Sequence, residues 1–413
     1  MIENNTSEVF GFYHMGARLA CVTSVPFFLV TQFRQQLIKL REYGIAVTAV
    51  TSPGPELAQI PWSNGLKHVA IDIRRKPAPW HDIVALVRMA ILFYRYGFNI
   101  VHSTTPKAGL LTAVAAWLAR VPVRLHTFTG QQWVTMSGPL RFISRWSDRV
   151  ICMLNTRVYA DSPSQRQYLI NEGIVCGDRI GIIGAGSLAG VDVCRFNQDR
   201  ISKAQRDKLR QQLGISHNGM IITFIGRITR DKGINELLQA VHALLSEGRL
   251  LDLVLIGPMD SALDAGRGQH SGTISELLLC HENIHQIGYT NVPEQYLAIT
   301  DILCLPSYRE GFGTVVIEAA AMGIPTIGTR ITGLIDAVVD EVTGLLVPAK
   351  DVDALIVALR RLIVDPVLRR HLGEVARQRC LEKFDSELVN RNLAEEYVRH
   401  LTRMRQDSLH DCR

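Results

Sequence analysis

Near-continuous apolar runs alternate with amphipathic stretches through most of the chain, and that alternation constrains the fold more than any other feature. "RLACVTS" (18–24), "IAVTAVTS" (45–52), "GFNIVHS" (97–103) and "VRLHTFTG" (123–130) read as strands. Between them, "FLVTQFRQQLIKLREYG" (28–44) and "AGLLTAVAAWLARVP" (108–122) carry helical periodicity. Strands apolar on both faces and separated by helices belong to a parallel sheet covered on both sides.

The alternation pauses at "IIGAGSLAGVDVCRF" (182–196), where three glycines fall within seven residues. It resumes with a helix at 203–214, strands at 220–227 and 251–257, and a helix at 234–248. Further strands are expected at 285–289, 301–307, 324–330 and 343–349. The predicted fold class is therefore α/β, with two doubly wound Rossmann-like domains facing a cleft. The boundaries fall at 1–190 and 191–385, with a final helix (386–413) returning to the first domain. In such sheets ligands bind beyond the carboxyl ends of the strands. No internal repeat or low-complexity tract interrupts the 413 residues.

Composition narrows the setting. Eight cysteines are scattered with no CxxC pair, which suits a reducing cytosol and small core residues. Met1 to Phe10 is polar without a basic region, so no signal peptide is expected. The most apolar helix candidate, Ile83 to Phe93, carries Arg88 and falls short of the ~20 residues a membrane span needs. Residues 1–200 hold 21 basic against 12 acidic residues, whereas 201–413 hold 24 against 27. A basic first half suits phosphates or an anionic membrane surface, although random surface variation gives the same count.

The chemistry concentrates at "YREGFGTVVIEAAAMGIPTIGTR" (308–330). A strand at 301–307 is followed by Gly311-Phe312-Gly313 and a helix at 314–323 stopped by Gly323. Glycines let backbone approach a ligand, and the opening N–H groups of a helix attract an anion. Each bond from such a group to a charged oxygen contributes roughly 1.5–3 kcal/mol. Glu310 stands before this helix and Glu318 just past its first turn, flanking the anion. An anion between two hydrogen-bond acceptors is the outline of a nucleotide diphosphate sugar. The competing reading makes Glu310 a helix-start acid matching the dipole and Glu318 a satisfied buried acid. Arg227 and Lys232, in "FIGRITRDKG" (224–233), follow a strand directly and supply the cations a diphosphate leaving group needs.

The order Gly226-Arg227, Lys232-Gly233, Glu310-x7-Glu318 resembles the family 4 glycosyltransferases, whose fold is the two-domain GT-B arrangement. The stretch from Pro306 to Asp351 is similar to that family's pattern almost throughout, and the resemblance spans roughly the whole chain. It implies a retaining transferase that uses a nucleotide-sugar donor, by preference a UDP-sugar, with no metal and no other cofactor. It assigns Arg227 and Lys232 to the diphosphate, Glu310 to the donor sugar and Glu318 to the ribose. The amides of Gly313 and Thr314 would complete the phosphate site, and Gly311 and Phe312 are counted among the donor-binding residues. "IHQIGYTN" (284–291), with Gly288 and Tyr289, resembles the base-binding strand and turn. Glu310, Arg227 and Lys232 are the candidate catalytic residues.

In the first half, "VHSTTPKAGLL" (101–111) reads as strand, turn and helix, with Thr105 at the N-cap and Pro106 at the first helical position. Lys107 then lies at a positive helix end, unfavourable by roughly 0.3–1 kcal/mol unless an anion binds or the side chain points to solvent. With "VPVRLHTFTGQQWVT" (121–135) the segment resembles a subgroup acting on polyprenyl-diphosphate-linked sugars in capsule, O-antigen or exopolysaccharide assembly. The resemblance makes Lys107, Thr105, His126 and Thr129 the candidate acceptor-binding residues. Relatives with a His-Gly pair hold a histidine near the reacting sugar, and here Thr129-Gly130 stands at that place. Strand alternation turns His126 away from Thr129, which favours a core or supporting role.

The segment 133–150 mixes Trp133, Met136, Leu140, Phe142, Ile143 and Trp146 with Arg141, Arg145 and Arg149. That mixture suits a membrane interface, or an ordinary amphipathic helix on the sheet. The expected setting is a cytoplasmic enzyme, peripheral on the inner membrane face, with a lipid-linked glycan acceptor and no nucleic acid. Two alternatives fit the same motifs: a UDP-sugar 2-epimerase, and a nucleotide-sugar-binding protein without turnover. "HENIH" (281–285) has metal-like histidine spacing but no further ligand pattern, and "GAGSLAG" (184–190) lacks the helix and acid of a dinucleotide fingerprint. A closing motion would hinge near Gly190 and Phe384.

Overall fold

The computed structural model describes residues 16–60, 62, 66–74, 77–215, 219–259 and 282–410. The described chain divides into two compact units, Met1–Gly190 with Ser386–Arg413, and Val191–Asp385.

Unit 1 is built on a seven-stranded sheet ordered β3-β2-β1-β4-β5-β6-β7, with every pairing parallel. The strands are β1 (Arg18–Val22), β2 (Ala46–Thr51), β3 (Leu66–Ala70), β4 (Ile100–Ser103), β5 (Val123–Phe128), β6 (Arg157–Ala160) and β7 (Ile180–Ile182). The helices are α1 (Arg34–Glu42), α2 (Pro79–Tyr96), α3 (Pro106–Leu118), α4 (Gly138–Leu154) and α5 (Pro163–Asn171). The stretch read as one helix over 28–44 is instead composite. It opens as Pro26–Phe28 and passes through a π-helical turn at Leu29–Phe33 before α1. The wider turn leaves Leu29, Val30 and Phe33 all buried.

Unit 2 carries a six-stranded parallel sheet ordered β10-β9-β8-β11-β12-β13. These strands are β8 (Met220–Ile225), β9 (Leu251–Ile256), β10 (Ile284–Gly288), β11 (Ile302–Leu305), β12 (Thr326–Thr329) and β13 (Gly344–Val347). Its helices are α6 (Lys203–Gln212), α7 (Ile234–Ser246), α8 (Pro293–Leu297), α9 (Thr314–Ala321), α10 (Leu334–Ala337), α11 (Val352–Val364) and α12 (Pro366–Lys383). A capping box of Ser202 and Gln205 starts α6, and Asp351 and Asp365 cap α11 and α12 with their carboxylates.

The last helix, α13 (Ser386–His410), packs within unit 1. Leu393, Ala394, Tyr397 and Leu401 join the core formed by α1 and one face of the first sheet. Met89 and Phe93 of α2, with Ala108, Ala115 and Ala116 of α3, fill the other face. The Tyr397 hydroxyl meets His102 Nδ1 at 2.7 Å, and the far nitrogen of that ring meets Thr127 Oγ1 at 2.8 Å. Burial drives the His102 pKa down to about 3, so the ring is neutral and serves as a hydrogen-bonded strut.

Trp133 departs from the membrane-interface reading of 133–150. It is fully buried, donates from Nε1 to Asp148 Oδ2 at 2.7 Å, and stacks on Tyr168. Its indole N–H needed a partner inside the protein, and the buried carboxylate of α4 provides one. Among the described residues, no helix is long and apolar enough to cross a membrane.

Candidate functional site

In a parallel sheet every strand delivers its carboxyl end to the same edge. Neighbouring strands β10, β9, β8 and β11 therefore bring together Gly288 and Tyr289, Gly257, Arg227 and the loop from Ser307 to Gly313. Two glycines make that edge possible. A Cβ on Gly257 would lie 1.9 Å from Gly226 O, and one on Gly233 would lie 2.0 Å from Pro306 O. Both also take positive φ, +137° and +71°. The second contact presses the start of α7 onto the exit of β11 and sets Lys232 beside Glu310.

Lys232 Nζ stands 2.5 Å from Glu310 Oε1, and Ser307 Oγ donates to the same oxygen at 2.8 Å. Both charged side chains are largely buried, at 17% and 13% exposure, so this ion pair is poorly screened. An ammonium has three donors, so Lys232 can hold Glu310 and still reach an anion. Arg227 is looser. Its guanidinium is half exposed and comes no nearer than 3.9 Å to Asp231 Oδ2. Asp231 is firmly held by the Thr229 hydroxyl at 2.6 Å and Arg309 Nη2 at 3.1 Å. Burial alone would raise the Asp231 pKa, but these donors outweigh it and hold the carboxyl below the usual range.

Gly313, at φ +90°, sits at the N-cap of α9, and Thr314 opens the helix. Phe312 does not face this edge. It is 1% exposed, with its ring 5.1 Å from that of Phe384, so its side chain anchors the glycine loop in the core. Gly311 is buried with it.

Glu318 lies in the second turn of α9. It keeps some access to solvent, yet protein atoms crowd its carboxyl, and this desolvation pushes the pKa up to about 7. After burial, the nearby charges follow, with Arg195 lowering it and Glu294 raising it. Arg195 was not singled out from the sequence. It donates to Glu294 Oε2 from Nε (3.0 Å) and Nη2 (2.8 Å), and from Nη2 to Asn291 O (2.6 Å). Its only sequence signal was a position just past the glycine-rich break. Gly288 takes φ +71° at the end of β10, and Tyr289 is half exposed.

The candidate acceptor residues of unit 1 separate. Thr105 occupies the N-cap position of α3, but its hydroxyl makes no cap bond. It accepts instead from the Ser24 backbone N–H at 3.0 Å. Lys107 Nζ stands 2.6 Å from Asp82 Oδ1 of α2, so a carboxylate of the protein already offsets the cation at the helix start. His126 is corrected as an acceptor contact. It is 1% exposed, with Nδ1 2.9 Å from Ser103 Oγ and its ring edge-on to Phe128. Burial lowers its pKa to about 3, and it packs where a Cβ on Gly109 would lie 2.4 Å away. Thr129 remains at the carboxyl edge and donates to Thr104 O at 3.4 Å.

Sequence reading also missed four buried polar groups just past β1, β4, β5 and β6. Thr23 Oγ1, Thr104 Oγ1, Gln131 Nε2 and Asp161 Oδ1 lack hydrogen-bond partners among the described residues. Burial pushes the Asp161 pKa up to about 7. His285, of the suspected metal pair, meets Asp252 at 2.8 Å, while His281 lies outside the described residues. Among the described residues no cluster of three His, Cys, Asp or Glu could hold a metal ion.

The chain resembles known proteins along most of its length. The family described as Glycosyl transferases group 1 matches residues 205–379, and the Glycosyl transferase 4-like domain matches 29–186. The capsular polysaccharide biosynthesis glycosyltransferase CapM of Staphylococcus aureus is 31% identical over 365 residues, covering 88% of this chain and 92% of CapM. An Escherichia coli UDP-Gal:alpha-D-GlcNAc-diphosphoundecaprenol alpha-1,3-galactosyltransferase is 27% identical over 288 residues, covering 70% and 72%. Among solved structures, a glycosyltransferase from Rickettsia africae superposes with a TM-score of 0.75 at 20% identity, covering 94% of this chain and 99% of that one. Anabaena HepE in complex with UDP and glucose gives 0.73 at 17% identity, covering 92% and 99%. These structures share the fold.

Proposed function

The chain belongs to the family 4 glycosyltransferases, and on that footing we propose that it is a retaining enzyme. It moves a sugar from a nucleotide diphosphate sugar, by preference a UDP-sugar, to a hydroxyl of a lipid-linked glycan in cell-surface polysaccharide assembly. The observation that carries this reading is the Lys232–Glu310 pair beside the glycine-capped start of α9, with Arg227 on the neighbouring strand end.

In this proposal the diphosphate lies against the amides of Gly313 and Thr314, with Arg227 and Lys232 on its oxygens. Glu310 Oε1 is already shared by Lys232 and Ser307, so Oε2 accepts from a hydroxyl of the donor sugar. Glu318 accepts from the ribose hydroxyls, and the Gly288–Tyr289 turn holds the base. The bond from the anomeric carbon to the diphosphate oxygen breaks on an oxocarbenium-like path, and its electron pair stays with the β-phosphate. The acceptor hydroxyl forms the new bond on the same face, and its proton passes to the departing phosphate. Stabilisation of the leaving charge by fixed cations and amides is the main contribution of the protein. No step calls for a metal.

On the acceptor side, Thr129 and Thr105 stand at the edge of the unit 1 sheet, near four polar groups that lack partners among the described residues. Glycan hydroxyls, which both donate and accept, suit such groups. The name of the Escherichia coli galactosyltransferase supports a lipid-linked acceptor, and that of CapM supports capsule-type glycans.

The test is to incubate membranes from cells with and without the enzyme with a panel of radiolabelled UDP-sugars. Enzyme-dependent label in the lipid fraction supports transfer. A new soluble sugar nucleotide would identify a 2-epimerase, and no conversion would identify a binding protein.

The pH dependence offers a second test, because Glu318 must be ionised to accept two hydroxyls. With its pKa raised to about 7, affinity for a UDP-sugar strengthens as pH rises from 6 to 8, by about tenfold from this group. Glu318→Gln binds more weakly at pH 8 and loses this dependence. Calorimetric titration at both pH values checks it, and parallel profiles for the two proteins would remove Glu318 from the ribose site.

A further inference from the structure

The outward side of α2 is as apolar as its inward side. At 100° per residue, Trp80, Ile83, Val84, Val87, Ile91 and Tyr94 fall within about 60° of one line along the helix, opposite the buried Met89 and Phe93. Trp80 is 80% and Tyr94 78% exposed, and the four between them are half exposed. α2 packs against α3, and α3 against α4. The neighbouring surfaces continue the pattern, with Trp117 and Leu118 exposed at the end of α3, and Phe142, Ile143 and Trp146 along α4. A soluble protein leaves single apolar residues exposed, but rarely a stripe that runs the length of a helix and extends across two more.

The fully exposed charges on these helices are all basic. Their only acids are Asp82, which faces Lys107 at 2.6 Å, and Asp148, which is buried against Trp133. Arg88 and Arg95 border the α2 stripe, and Arg141 and Arg149 are exposed on α4. Isolated carboxylates on a partner protein could not match both the breadth of the apolar surface and its basic border. A second copy of the same surface would set arginine against arginine across a two-fold axis. Aromatic and aliphatic residues bordered by arginine, on helices too charged to cross a bilayer, match the interface of an anionic one.

We propose that α2, with the outward sides of α3 and α4, forms a docking surface for an anionic lipid bilayer. α2, which the sequence reading considered only as a spanning candidate, is its centre, and the 133–150 segment is its border. The purpose of the surface rests on the lipid-linked acceptor of the proposed function, whereas its evidence does not.

The test is flotation of the full chain with vesicles of phosphatidylglycerol and phosphatidylethanolamine, beside phosphatidylcholine alone. The wild type floats with the anionic vesicles. Ile83→Ser/Val87→Ser/Ile91→Ser stays in the bottom fraction, and Arg88→Gln/Arg95→Gln partitions roughly 20-fold less at low salt. Unchanged thermal midpoints in both variants show that folding is intact. Transfer to a short water-soluble acceptor is measured in parallel and is unchanged in both. Equal flotation with neutral lipid, or variants that float like the wild type, would overturn the surface. So would a wild-type dimer that ignores vesicles and that the triple serine variant disperses. Flotation without transfer leaves the surface standing and removes the proposed reaction. Transfer without flotation does the reverse.

Discussion

Lys232→Ala lowers kcat/KM for sugar transfer by about two to three orders of magnitude, the loss expected when one fixed donor to a developing anion is removed. The same substitution leaves the largely buried Glu310 with the Ser307 hydroxyl as its partner among the described residues, and removing one member of a buried ion pair destabilises by about 3–5 kcal/mol at the upper end. The two effects separate in a cycle with Glu310→Gln, which removes the uncompensated charge. The double variant recovers most of the lost thermal stability without recovering transfer. If it regained both, Lys232 would be a partner for Glu310 alone. Lys232→Arg keeps the charge but replaces a compact ammonium with a planar fork, so it recovers activity only in part.

The second large effect is structural. Gly233→Ala puts a methyl 2.0 Å from Pro306 O at a residue whose φ is +71°. Backbone strain and the clash together destabilise by about 3 kcal/mol or more. Because Gly233 fixes the turn that carries Lys232, transfer falls with stability, and at temperatures well below unfolding it still falls. Gly248→Ala is the matched control. It has a similar φ of +77°, with nothing within 4 Å of its Cβ, and costs about 1 kcal/mol without affecting transfer. Thermal denaturation and initial rates on both variants check the contrast. Equal losses would mean that the contact between the α7 start and the β11 exit does not govern the site.

The two parallel sheets and the family were legible because they depend on local patterns. The alternation of apolar strands with helices repeats every few dozen residues; the Gly226–Gly233 segment lies within one strand-to-helix connection, and the Glu310–Glu318 segment runs from the connection after β11 into α9. Short strands escaped. β3, β6 and β7 span three to five residues, and β3 carries Lys67 and His68, so neither alternation nor length marked them. Contacts between residues distant in sequence escaped as well. Nothing near Lys107 announces Asp82, 25 positions earlier, and nothing near Arg195 announces Glu294. The burial of the Phe312 ring escaped too, because a glycine loop gives no signal of which side chain turns inward. His126 lies on a strand buried on both faces, with Leu125, Thr127 and Phe128 buried beside it, so alternation separated it from Thr129 without by itself giving its burial.

The measurement that bears most directly on this account is the crystal structure of the enzyme with UDP. The account predicts the pyrophosphate at the start of α9, against the amides of Gly313 and Thr314. Lys232 and Arg227 should lie within hydrogen-bond distance of its oxygens, and the ribose should lie on Glu318. A nucleotide bound at any other edge, or a diphosphate at α9 with both cations turned away from it, would contradict the account.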